Sequence, residues 1–575
     1  MDGGGERGCG FMSPDETAGV LPLAPSAQSK RRLPLLPVQA FLAEQHTLTA
    51  VERFAKLHDQ GELHSAPLHE KYYRALLPSA APKAGEQLAF EVDLDRCTGC
   101  KACVSACHTL NGLDDTELWR NVGLLHGGTP EAAVQQTITT SCHHCLEPAC
   151  LKGCPTQAYE KDPVTGIVKH LDDQCIGCQY CTMMCPYDAP KYNASRGIVR
   201  KCDMCSSRLA LGEAPACVQA CPSEAIAIRV VDQALVKAAT DAQQFLPGPA
   251  ASAHTGPSTR YKTRRQWPEN LLPVDYQVSR LEHSHPPLVL MLTLTQLSVG
   301  MFLMAWVAKL FGAGTLGSPL AQAGGACGAV LVALAASVFH LGRPWQAWRA
   351  VLGLRTSWLS REALIFGLFA QAALLYCGVL AAPWRERAWL PDLTSLLPLI
   401  ELGVVSCGVI GVYCSVMVYV ATQREHWSFA QTGVRFFGSV VLLGSSAVFS
   451  VSVCTAGSAS ARPCSVLWFA VVTGGLKLMH ELHALLRSRD LAHSTQKQMA
   501  LALLRELHVW TRLRLVSLLV TGICFPIIVL GDAVAASILP ALSVSCSVVL
   551  LASELCERYL FFRAAPASRM PGSLR

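Results

Sequence analysis

The chain has 575 residues, of which 51% are hydrophobic and only 16% charged, against roughly a quarter charged in soluble domains. That length exceeds a single hydrophobic core, and that composition puts much of the chain in lipid. The formal net charge of +6 is small for the length, which sets nucleic acid aside as a partner.

The 26 cysteines would suit a disulfide scaffold only in a small secreted protein, whereas this chain is long and opens MDGGGERGCGFMSPDETAG without an apolar signal region. Residues 1–90 form an N-terminal extension with an apolar helical pattern at Val38, Phe41, Leu42, Leu48, Val51, Phe54 and Ala55. Two readings stay open for it, a helix that docks a partner and a self-packed cap.

Sixteen cysteines fall between Cys97 and Cys221, in four runs of four. The first run is Cys97, Cys100, Cys103 and Cys107; the third is Cys175, Cys178, Cys181 and Cys185, followed by Pro186. Both have the ferredoxin spacing C-x2-C-x2-C-x3-C. The second run, Cys142, Cys145, Cys150 and Cys154, and the fourth, Cys202, Cys205, Cys217 and Cys221, are stretched variants. Three closely spaced thiolates wrap one cubane, and the fourth, past a turn, reaches a neighbouring cluster. Zinc closes on four ligands, usually from two C-x2-C knuckles, and has no use for a third close cysteine. The spacing therefore predicts four [4Fe-4S] clusters in an α+β ferredoxin-like domain over 91–232. With every such thiolate used, the domain passes single electrons and offers no open site for substrate. Lys101, His108, Arg200 and Lys201 lie beside ligands, where charge or hydrogen bonds to sulfur could tune cluster potentials, but a solvated basic residue is the commoner reading and no role is assigned to them.

Residues 233–286 read as a linker and basic juxtamembrane segment: a Pro-, Gly-, Ser- and Thr-rich tract from Leu246 to Thr259, then Arg260, Lys262, Arg264 and Arg265. Residues 287–562 predict an all-α bundle of eight transmembrane helices, near 288–311, 319–340, 362–382, 396–420, 433–454, 465–486, 513–531 and 534–555, with a cytoplasmic tail at 563–575. An even number of spans puts both termini on one side. Lys and Arg crowd that side, with mainly Arg385, Arg387 and Arg462 opposite, so the positive-inside rule predicts an inner-membrane protein with cluster domain and termini in the cytoplasm. The lack of a signal sequence agrees.

Ionisable residues at the lipid boundary are functional candidates. The densest group is His340-Leu-Gly-Arg343-Pro344 with Ser357-Trp-Leu-Ser-Arg-Glu362. His340 and Glu362 suit the proton exchange that accompanies quinol oxidation, and helix capping or snorkelling is the other reading. Lys477, His480, Glu481 and His483 read as helix-face pairing or snorkelling, and Glu401 as near the opposite interface.

The four runs, with eleven residues between Cys205 and Cys217, resemble the iron-sulfur subunit of dimethyl sulfoxide reductase type complex iron-sulfur molybdoenzymes. HLGRP at His340, SWLSRE at Ser357 and ELCERYLFF at Glu554 resemble the eight-span anchor of the same enzymes. The two subunits look fused here. The resemblance implies a separate catalytic subunit carrying a molybdenum bis-pterin, an anchor that exchanges electrons with quinone, and a chain that is not itself the site of substrate chemistry. It also implies that Cys97, Cys100, Cys103 and Cys221 share a cubane; that Cys202, Cys205, Cys217 and Cys107 share the next; and that Cys142, Cys145, Cys150 with Cys185, and Cys175, Cys178, Cys181 with Cys154, hold the others. His340 and Glu362 match the anchor's quinol-associated histidine and carboxylate, and Arg343 falls in the same motif. The dimethyl sulfoxide enzymes face the periplasm, so the charge asymmetry is closer to cytoplasmic sulfite-oxidising relatives and leaves the direction of electron flow open. A quinone-linked adaptor for another partner, such as a nitrite reductase or hydrogenase, is the alternative. No haem-attachment C-x-x-C-H occurs, although Cys142-His-His-Cys145 comes near it.

Overall fold

The computed structural model describes residues 70–242, 244–246, 252–276, 278, 281–311, 317–381, 393–455, 464–566 and 570, with Thr49 and Glu52. The chain divides into two units, 1–59 and 60–575. In the first, the Glu52 carboxylate accepts from the Thr49 N–H and hydroxyl (2.8 and 2.7 Å), and the Thr49 hydroxyl accepts from the Glu52 N–H (3.2 Å). This is a capping box. The apolar positions of the expected helix, Val38 to Ala55, lie outside the described residues.

The second unit opens with the cysteine-rich fold. Strand β1 (Glu86–Asp93) pairs antiparallel with β8 (Ile226–Asp232), so the chain before the first cysteine run meets the chain after the last. Strands β2 (Asn121–Gly128) and β3 (Ala133–Thr140) form a hairpin, and two short hairpins follow, β4 (Tyr159–Lys161) with β5 (Val168–His170) and β6 (Lys191–Asn193) with β7 (Ile198–Arg200). Short helices such as Ala102–Leu110, Tyr180–Met184 and Ala216–Gln219 carry the cysteines between strands.

The segment expected to be a linker is part of this fold. Strand β9 (Arg260–Lys262) pairs parallel to β1, and β10 (Leu272–Pro273) pairs with β2. Thr255, Ser258 and Thr259 are buried. Leu146 N–H donates to the Gly256 carbonyl (2.8 Å) and Ser258 N–H to that of His143 (3.1 Å), strapping the segment over the second cysteine run. Composition misled here because its small hydroxyl residues find buried partners, Ser258 the His143 carbonyl, Thr255 the Tyr187 hydroxyl and Thr259 the His143 ring, which lets a polar tract be buried. The basic cluster likewise faces the sheet: Lys262 pairs with Glu91 (2.8 Å), and Arg265 with Asp95 (3.5 Å).

The apolar half is a helical bundle. Among the described residues seven helices are long and apolar enough to cross a membrane: α1 (Pro286–Leu310), α2 (Pro319–Phe339), α3 (Trp358–Ala381), α4 (Leu397–Val420), α5 (Phe429–Thr455), α7 (His508–Leu530) and α8 (Leu539–Arg563). Helix α6 (Cys464–Leu486) has 23 residues but carries Lys477, His480, Glu481 and His483 in its second half, and it falls outside that set. Helix α1 is the central one, packed on α2, α4, α5 and α8. A Cβ on Gly300 would stand 2.1 Å from the Val440 carbonyl oxygen, and one on Gly444 2.3 Å from the Gly300 backbone. Small residues there let α1 and α5 approach backbone to backbone, the usual basis of helix association in lipid. Helix α8 starts and ends later than the expected 534–555, because Glu554, Glu557 and Arg558 are buried and paired inside the bundle rather than marking its edge. The C-terminal tail also returns to the protein: Pro566 bridges to Leu281, and Met570 is buried in the core formed around Cys103, Cys142 and Cys217.

Candidate functional site

The sixteen cysteines gather into four quartets, each drawing three members from one run and one from another. Cys97, Cys100, Cys103 and Cys221 line one small cavity. Cys107 lies beside Cys205 and Cys217, and Cys202 beside Cys107 and Cys205. Cys142, Cys145, Cys150 and Cys185 line a second cavity. Cys178 and Cys181 lie beside Cys154 and Cys175. All are free thiols. Among the described residues no three Cys, His, Asp or Glu side chains close on a single-ion position; thiolates around a cubane stand further apart, one to each iron corner. The donor set therefore fits cubanes. Burial pushes the Cys185 thiol up to about 11 and Cys205 to about 12, so these thiolates are stable only with cationic or metal partners. Backbone N–H groups supply part of that stabilisation, Ala158 donating to Cys154 Sγ and Ala225 to Cys221 Sγ, each at 3.2 Å.

The quartets form a series. Cys103 and Cys107 sit on one helix and link the first two; Cys202 lies near Cys142, linking the second and third; Cys150 lies on the helix Ala149–Gly153 and Cys154 caps its C-terminus, linking the third and fourth. Cys100, in the first quartet, is exposed. The fourth quartet sits on the bundle.

That contact is made by the HLGRP and SWLSRE segments. Arg343 N–H donates to the Ile176 carbonyl (3.1 Å), and its guanidinium to that of Asp172 (2.8 Å). His340 Nε2 lies 3.3 Å from the Cys178 carbonyl oxygen and is thereby the N–H of the ring. Ser357 Oγ donates to the Gly153 carbonyl (2.7 Å), and Gly353 N–H to that of Pro155 (2.7 Å). Gly342 packs directly on Gly197: a Cβ there would stand 2.1 Å from the Gly197 carbonyl oxygen, where backbone cannot yield. From the cluster side, Tyr180 inserts into the bundle core and donates to the Val418 carbonyl (2.7 Å).

Glu362 is buried on α3 and accepts from Ser415 Oγ on α4. Tyr180 and Tyr419 lie within its field. Burial, with Glu362 nearby, holds the Tyr180 phenol well above its ordinary value, so it stays protonated. His340 is pushed down to about 4 by burial and is neutral at neutral pH. Its ring packs on His285 (5.2 Å), which packs on His283 (4.8 Å). Sequence reasoning missed these two histidines, although His-Ser-His-Pro just before the first span was a visible signal.

It missed more inside the bundle. Lys477 does not snorkel: it is 1% exposed, with Nζ 2.5 Å from Glu554. Arg514 bonds Glu481 (3.0 Å) and Glu554 (2.9 Å), and Arg558 pairs with Glu557. These partners lie on α6, α7 and α8, so no window of sequence shows them together. Glu401 pairs with Lys309 beside Tyr376 at the end of the bundle away from the cysteines, around a cavity of about 240 Å³. Lys201, read as solvated, is 3% exposed, and Arg120, not singled out at all, is 2% exposed. His143 and His144 are buried and neutral; His143 Nδ1 bonds Thr259 Oγ1 (2.9 Å), and His144 Nδ1 accepts from Val168 N–H (3.1 Å). The histidines of the near-match to a haem motif are thus bonded into the buried core of the fold.

Buried cysteine quartets in series, seated on an apolar helical bundle, define a membrane-anchored iron-sulfur electron-transfer protein. Residues 282–563 match the family described as DMSO reductase anchor subunit (DmsC), residues 134–231 the 4Fe-4S dicluster domain, and residues 88–109 a 4Fe-4S binding domain. The chain is 41% identical over 166 residues to the B subunit of the anaerobic dimethyl sulfoxide reductase of Haemophilus influenzae, covering 27% of this chain and 80% of that subunit. It is 39% identical over 155 residues to the corresponding subunit of Escherichia coli (26% and 75%), and 35% identical over 158 residues to the formate dehydrogenase-O iron-sulfur subunit of Escherichia coli (24% and 52%). The chain belongs to the dimethyl sulfoxide reductase iron-sulfur subunit family, here fused to a membrane anchor of the DmsC family.

Proposed function

We propose that the chain moves electrons between quinone in the membrane and a separate catalytic subunit carrying a molybdenum bis-pterin, through four [4Fe-4S] clusters. The observation that carries this reading is the contact of the HLGRP loop with the backbone of Ile176 and Cys178, which puts the candidate quinone residues beside the fourth quartet. Cys97, Cys100, Cys103 and Cys221 would hold the first cubane; Cys107, Cys202, Cys205 and Cys217 the second; Cys142, Cys145, Cys150 and Cys185 the third; Cys154, Cys175, Cys178 and Cys181 the fourth. When bound, the clusters take up and release single electrons. The exposed Cys100 end is the face for the catalytic partner.

Quinone binds at His340, Arg343 and Glu362. The neutral His340 ring donates Nε2–H to the Cys178 carbonyl, leaving Nδ1 as acceptor for a quinol hydroxyl. Glu362, buried beside Ser415, exchanges the second proton. Helix α6 also spans, since its buried ions are paired within the bundle, giving eight spans in an inner membrane. The Lys and Arg asymmetry supports cytoplasmic termini and cluster domain. The likeness to the hydrogenase-2 operon protein HybA of Escherichia coli favours, as second reading, an adaptor for a different redox partner. Purification of the native complex separates the two: a co-eluting large subunit with molybdenum supports the first, and one with nickel or haem replaces it with the second.

A further inference from the structure

Arg120 and Lys201 are buried cations, 2% and 3% exposed. Arg120 donates to Thr139 Oγ1 (3.2 Å) and Ser141 Oγ (2.9 Å), and its guanidinium lies 4.6 Å from the Phe90 ring centre. Lys201 donates to the carbonyls of Val168 and Cys202, the latter at 2.9 Å. Among the described residues neither has an ion pair with Asp or Glu. The neighbouring Arg200, by contrast, pairs with Glu117 (3.3 Å). An unpaired buried cation is costly enough that something negative must face it. What faces Arg120 is cysteine: Cys103 of the first quartet with Cys107, Cys202 and Cys217 of the second. What faces Lys201 is Cys142 and Cys150 of the third quartet and Cys202 of the second. The two cations thus occupy the first two junctions of the series. Beside the fourth quartet stands His170, already bonded to Asp172 (2.8 Å).

We propose that Arg120 and Lys201 are fixed positive charges that raise the reduction potentials of the clusters they face, Arg120 acting on the first and second and Lys201 on the second and third. This rests on the four-cluster reading above. A cluster gains negative charge on reduction, so a cation nearby stabilises its reduced form, and a dry interior strengthens the effect. The guanidinium cannot lose its proton. An electron entering at the fourth quartet then finds the middle of the series held favourable from both sides, with the second cluster lifted twice.

The test is a redox titration of the purified full chain in detergent, followed by electron paramagnetic resonance, with iron counted in each sample. Arg120→Gln keeps a donor for Thr139 and Ser141 but removes the charge, and Lys201→Gln does the same at the second junction. Each neutral variant should lower two midpoint potentials and leave two unchanged. One cluster should fall in both variants and one in neither, while Arg120→Lys and Lys201→Arg keep the wild-type values. Equal shifts in all clusters, no shift, or the same shift in the charge-keeping variants would overturn the proposal. Loss of iron in the neutral variants alone would also overturn it, by assigning the residues to assembly. Wild-type iron far from about sixteen per chain, four for each of four cubanes, would instead overturn the four-cluster reading.

Discussion

Gly342→Ala tests whether the HLGRP loop couples the bundle to the cysteine fold. The added Cβ would stand 2.1 Å from the Gly197 carbonyl oxygen and 2.6 Å from its carbon, so the two backbones must separate. Overpacking of this kind costs about 1–3 kcal/mol. Separation also strains the Arg343 bonds to Ile176 and Asp172 (3.1 and 2.8 Å), worth about 1 kcal/mol each. A total of about 3–5 kcal/mol shifts the docked state by roughly two to nearly four orders of magnitude. No thiolate is touched, so iron content should match wild type. Stopped-flow reduction of the clusters by quinol should slow sharply, while dithionite still reduces them all. Quinol-dependent reduction at the wild-type rate would refute the coupling.

Other outcomes follow from the same contacts. Purified anaerobically, the chain should hold about sixteen irons, and Cys178→Ser should perturb the fourth cluster and at most one other. Lys477→Met leaves Glu554 with Arg514 as its remaining cation and should cost about 3–5 kcal/mol in detergent unfolding, whereas Lys477→Met with Glu554→Leu should recover much of the loss; equal losses in both would refute this by showing that the pair itself is strongly stabilising. Reporters fused after Arg575 and within 385–392 should give opposite topological signals, the first cytoplasmic; a periplasmic signal from the first would invert the assignment.

What the sequence showed and hid follows from how far apart the partners lie. Cysteine spacing was legible because each run wraps its loop within a few residues, and apolar length revealed most of the helices. Lys477, Glu554 and Arg514 were illegible as a cluster because they sit on three helices; a charged residue read alone suggests a snorkel or a helix end, which is also why α8 was expected to stop near 555. The tract at 246–259 looked like a linker because small hydroxyl residues are common to linkers and to straps whose hydroxyls bond buried backbone, as Ser258 does with the His143 carbonyl (2.7 Å). Arg120 stands between β-strands, with no motif to mark it, and only the fold turns it toward two quartets.

The central claim is that electrons pass between quinone and the clusters at the loop carrying His340. The direct measurement is cluster reduction in His340→Ala by quinol and, separately, by dithionite. All four clusters should assemble in that variant and accept electrons from dithionite, but receive few or none from quinol. Unchanged quinol-dependent reduction, with the clusters intact, would contradict the claim and move the site away from His340.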